Sequence, residues 1–132
     1  MTTITAFSNA LADLTITGVT RKSRSKPASI QASEMPFQYV EYPEASSEPL
    51  SSCRDRDTYT LDLVILLNPT NQDRPETNHS NMLTMVDYMK TAIKTLHNSL
   101  NMIIRFDIVG GGRPLGEMYY YALTATVTGE DL

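Results

Sequence analysis

The residues able to do chemistry are few and scattered. There are two histidines, His79 and His97, and one cysteine, Cys53, and their separations match no zinc-ligand spacing. His79 precedes Ser80, and Asp73 or Asp87 would complete a nominal triad, but no nucleophile elbow or glycine motif surrounds that serine. The run Asn78-His79-Ser80 reads better as a helix cap. His97 reads as a solvated side chain near a helix end, where its charge suits the dipole. Asp55, Asp57 and Asp62 lack the central glycine and closing glutamate of a calcium loop. Gly110-Gly111-Gly112 carries no Lys-Ser/Thr pair and lies between two strand-like segments, so it reads as a turn rather than a phosphate cradle. Catalysis, a metal and a cofactor are all unexpected on this reading.

Charge patterning points instead to surfaces. Arg21, Lys22, Arg24 and Lys26 form a basic cluster in an otherwise acidic chain of net charge −4. They suit a solvated loop, or contact with an acidic partner or passing DNA. General duplex binding is disfavoured, because affinity for nucleic acid comes mostly from phosphate neutralisation. No aromatic residue interleaves the cluster, which disfavours a single-strand stacking platform. Arg54-Asp55-Arg56-Asp57 alternates in sign. In solvent that run does little, whereas between subunits it would fix register. Arg113, beside the glycines, is a candidate contact residue.

These residues must be positioned by the elements around them. A short helix is expected over 4–12, where Ile4, Phe7 and Leu11 recur at helical spacing. LTITGVT (14–20) alternates like a strand, and the basic, Ser-rich stretch after it reads as a mobile loop, 21–35. PFQYVEY (36–42) is aromatic and β-branched, with Pro36 at its entrance. Residues 43–57 carry two prolines and four serines without a period and read as a long loop. TYTLDLVILL (58–67) is the clearest strand, with Tyr59, Leu61, Leu63, Ile65 and Leu67 on one face. A polar loop, 68–79, precedes the main helix over 80–100. There Met82, Met85, Met89, Ile93, Leu96 and Leu100 form the apolar stripe, the methionines as core filler or an adaptable partner surface. Strands are expected at 102–109 and 117–128, joined by GGGRPLGE as a hairpin loop.

The order α-β-β-β-α-β-β predicts one α+β domain over 1–132: a mixed, mostly antiparallel sheet of about five strands with two helices packed on one face. Its other face is left to water or a neighbour. The N-terminus has no basic segment followed by a continuous apolar run, and no run approaches membrane-spanning length. A cytoplasmic product, or a particle assembled there, is expected.

With its elements in order, the chain resembles the tail terminator (tail completion) family of long-tailed bacteriophages. The resemblance covers nearly the whole chain. It rests on length and element order, the Pro-led strand PFQYVEY, the long strand TYTLDLVILL leading into the amphipathic helix, and the closing Tyr-rich strand YYYALTATVTG. It implies a structural virion protein at the head-proximal end of the tail. Copies of the chain, as a homo-hexameric ring, would dock on the last ring of tail tube protein, stop polymerisation and join the head–tail connector proteins. DNA would pass through the pore, with no membrane involved. Arg54, Asp55, Arg56, Asp57 and Arg113 are then candidate interface residues, and Arg21, Lys22, Arg24 and Lys26 a pore-lining or connector-facing loop. Another neck protein of the same particle, a small enzyme or ligand-binding domain, and a nucleic-acid module are the rival expectations.

Overall fold

The computed structural model describes residues 3–51, 54–69 and 75–131. Thr3 caps the first helix, α1 (Ile4–Ala12), by accepting the Ala6 amide on its hydroxyl. The periodicity of that helix is borne out, since Phe7 and Leu11 are fully buried. Five strands follow: β1 (Arg21–Lys22), β2 (Phe37–Ser51), β3 (Arg54–Pro69), β4 (Met102–Leu115) and β5 (Met118–Asp131). The main helix lies between β3 and β4 as α2 (Pro75–Lys94), continued after a break at Thr95 by α3 (Leu96–Leu100). The sheet order is β1-β2-β3-β5-β4; β1 runs parallel to β2, and every other pair is antiparallel. The expected α+β class is correct.

The helices cover one face. Phe7, Leu11, Met85, Met89, Ile93 and Leu96 pack against Val40, Leu61, Leu63, Ile65, Leu123, Ala125 and Val127. The opposite face is bare only in part. At one end Phe37, Tyr39, Val64, Leu66, Leu115, Tyr120 and Ala122 make a second core, and Ile30 and Met35 pack over it. The segment expected to be a mobile loop, 21–35, is thus partly structured. It supplies β1, a 3₁₀ turn at Ala32–Glu34 and the lid of the second core.

Four other boundaries differ from expectation, each for a physical reason. Residues 14–20 are not a strand. Leu14 and Ile16 are buried, but Gly18 turns the chain at φ +91°, and the pairing begins only at Arg21. The side-chain amide of the buried Gln38 donates to the carbonyls of Ala12 and Leu14, at 2.9 and 3.1 Å, replacing a ladder. The expected loop 43–57 is mostly a β2–β3 hairpin. Its prolines are tolerated because β2 beyond Gln38 is a sheet edge, and a register shift between Glu41 and Glu44 absorbs Pro43, with Tyr42 at φ 56°. The main helix starts at Pro75, inside the expected loop 68–79, so Asn78 and Ser80 lie within it rather than capping it. Proline suits a first helical turn, and no apolar residue before Met82 carries the period. Finally, β4 continues through the three glycines to Leu115. The hairpin turns at Gly116-Glu117, where Gly116 takes φ +61°.

Candidate functional site

The β2–β3 hairpin outgrows the sheet. Thr58 is the first β3 residue with a partner on β5, namely Glu130. Before it, Asp57, Arg56, Asp55 and Arg54 pair only with β2, across from Ser47, Glu48, Pro49 and Ser51. That leaves a two-stranded arm roughly 14 Å long at about 3.4 Å per residue. Every β2 side chain from Tyr42 to Pro49 is exposed. The run expected to set register between copies therefore lies on this arm. The side chains of Arg54 and Asp55 fall outside the described residues. Asp57 is half-buried, and Arg56 is turned back to the body, its Nε 3.0 Å from a Glu130 carboxylate oxygen. Arg105 of β4 reaches the other Glu130 oxygen at 3.1 Å, so this glutamate ties β3 and β4 together across β5. Glu130 was not foreseen from sequence.

Arg113 sits at the other end of the same face, next to the second core. Its guanidinium donates to the Glu41 carboxylate and lies over the Tyr42 ring, 5.8 Å from the centroid. Lys26 is 3.9 Å from the other Glu41 oxygen. The Tyr39 hydroxyl, fully buried, lies near the guanidinium without a well-formed hydrogen bond. Burial pushes the Tyr39 phenol above its ordinary value, with the Glu41 charge adding to that and Arg113 opposing it. Burial alone would lower Arg113, but its bonds to Glu41 and the nearby Tyr39 outweigh this, and the net shift is upward. This is an internal ion pair that locks β4 to β2 over β3 and β5. Glu41 and Tyr39 were not singled out from the sequence; the signal available was a glutamate sharing the face of Phe37 and Tyr39 in PFQYVEY.

The basic cluster does not form one free patch. Lys22 donates from Nζ to the Asp13 carbonyl at 2.8 Å, and Arg24 forks onto the Asp13 carboxylate at 2.7 and 3.2 Å. That bidentate bond holds the Asp13 carboxyl below its usual value. Lys26 faces Glu41, and Arg21 is exposed on β1. The charges therefore point to three places: Asp13, Glu41 and solvent.

The described residues hold no group of three or more His, Cys, Asp or Glu side chains able to bind a metal. An open groove of about 310 Å³ lies beside α2, lined by Pro36, Leu67, Asn81, Thr84, Met85 and Tyr88, none of them charged. Neither His79 nor His97 is among those residues, and both histidines are exposed. Among the described residues, no helix is long and apolar enough to cross a membrane. No protein-family model and no curated protein matches this chain.

Proposed function

We propose that this protein is a structural assembly subunit whose copies close head-to-tail into a ring. In this reading the ring caps a phage tail tube, stops its growth and presents a surface to the head connector. It belongs to the head-proximal end of the virion tail, and six copies would surround a pore that passes DNA. The observation that supports it is the β2–β3 arm. A two-stranded ribbon is marginal in water on its own, and it gains most by lying against another surface. This arm projects past the sheet of its own subunit, so the available surface belongs to a neighbour. A head-to-tail contact made by such an arm repeats around an axis and closes if the rotation per copy divides the circle.

The test is tube growth. Adding the protein to polymerising tail tube subunits is expected to shorten the tubes and leave one ring-shaped cap per tube end, seen by electron microscopy. Replacing the arm residues 45–57 by a short turn is expected to abolish capping while leaving the melting transition in place. A protein that never joins tube ends overturns the terminator reading. If it then binds purified connector rings, another neck position in the same particle takes its place.

A further inference from the structure

The sheet ends in a long open edge. On its inner side β4 pairs with β5 from Met102 to Leu115 without a register shift, and on its outer side no described strand pairs with it. Edge strands are usually guarded by shortness, bulges or lysines, because their free amides and carbonyls template further pairing. This one is 14 residues long and unbulged; it holds no lysine, its one proline, Pro114, lies at its far end, and its central charges, Arg105 and Asp107, are of opposite sign. Two of its aliphatic side chains on the sheet face away from the helices, Ile103 and Val109, are 38% and 66% exposed.

The sequence of that edge is self-complementary. Ile103-Ile104-Arg105-Phe106-Asp107-Ile108-Val109 runs aliphatic, aliphatic, charge, Phe106, charge, aliphatic, aliphatic from either end, with the sign of the charge reversed. We propose that two copies of this chain pair antiparallel along β4, about a two-fold axis at Phe106. The register follows from the axis. Phe106 faces its own copy. Arg105 meets Asp107 and Asp107 meets Arg105. Ile103 meets Val109, and Ile104 meets Ile108. Directly opposed pairs are the unit of sheet stabilisation, and this register contains two opposite-charge pairs and no like-charge pair. Asp107 is exposed and has no ion-pair partner among the described residues. Arg105, 72% exposed, spends one nitrogen on Glu130 and keeps further N–H donors for a second carboxylate. A two-fold interface uses the same patch on both subunits, and its charges are satisfied only where their sign reverses across the axis, as Arg105 and Asp107 do. The partner is therefore a second copy, and the product is a continuous sheet of ten strands. This pairing goes beyond the ring proposal and does not rest on it, because it uses the edge opposite the arm and closes on two copies.

Sedimentation equilibrium tests it by charge exchange. The unmodified chain is expected at twice the 14.7 kDa of the monomer. Arg105→Asp and Asp107→Arg, each alone, oppose like charges twice and are expected to halve the mass. An equimolar mixture of the two variants restores both attractive pairs and is expected to return to the dimer mass, a rescue that misfolded chains could not give. A second measurement serves should Arg105→Asp fail to fold. In a Cys53→Ser background, Phe106→Cys is expected to form an interchain disulfide on mild oxidation, because the axis sets that position against itself. Ile104→Cys, which faces position 108, is expected to stay reduced. A monomeric unmodified chain, single variants that keep the dimer mass, a mixture that stays monomeric, or equal cross-linking at positions 104 and 106 would each overturn the pairing.

Discussion

Among single residues, burial decides which charges matter. Arg113 and Glu41 are 21% and 10% exposed, so their pairing is largely withdrawn from water. Removing one partner strands the other charge beside the buried Tyr39 hydroxyl. Arg113→Ala is expected to lower unfolding free energy by about 3 kcal/mol, read from the urea midpoint at constant slope. Arg24 makes a two-bond fork with Asp13, yet both side chains are about half exposed or more. Arg24→Ala is expected to leave that midpoint almost unmoved, since exposed ion pairs are screened and cost side-chain entropy. The sequence marked both arginines as contact candidates. It could not rank them, because rank depends on what the fold lays over each.

Among elements, periodicity was a sound guide where a face packs on the core and a poor one where it does not. α1, the core-facing stretch of β3 and the Met stripe of α2 were all legible, because burial imposes a period on sequence. The arm was not. Its β2 side chains from Tyr42 to Pro49 are all exposed, so serines, prolines and charges satisfy it as well as any loop. The run 14–20 misled in the opposite sense, since its alternating apolar residues are buried without a strand ladder. There Gln38 holds the chain by a side-chain amide, a contact between residues 24 and 26 positions apart that no local pattern encodes. Gln38→Leu keeps the bulk and removes both donors, leaving two buried-side carbonyls unpaired. A loss of about 2 kcal/mol is expected, with faster amide exchange concentrated at the C-terminal turn of α1. A uniform change in exchange across the sheet would instead mean that Gln38 acts through general packing.

For the whole molecule, pH dependence at the alkaline end follows from two tyrosines. Burial raises the Tyr39 phenol above the ordinary tyrosine value, with the Glu41 charge adding to it, and burial raises Tyr59, with Asp57 and Asp131 adding to it. A raised folded pKa means the fold binds the phenolic proton more tightly than the unfolded chain does. The associated stability is present below the unfolded value and is lost as pH rises through the folded one. Stability is expected to fall above about pH 10, and tyrosinate absorbance should show a late-titrating fraction that merges with unfolding. Tyr39→Phe is expected to remove most of that late fraction, because Tyr39 is the more deeply enclosed of the two. The two-sided core sets this behaviour, since Tyr39 is enclosed in a cluster with the distant Leu115, Tyr120 and Ala122, and Ile30 and Met35 pack over it.

The place of β5 has a consequence for synthesis. Strand β5 sits between β3 and β4, so β3 has only β2 beside it, and β4 has no strand partner, until residues 118–131 have been made. A nascent chain ending before Met118 would display β3 and β4 as two raw edges and leave Leu115 without Tyr120 and Ala122 beside it. Completion of the sheet is thus deferred until β5 has been made, and a product terminated before it lacks the strand that joins the β2–β3 hairpin to β4.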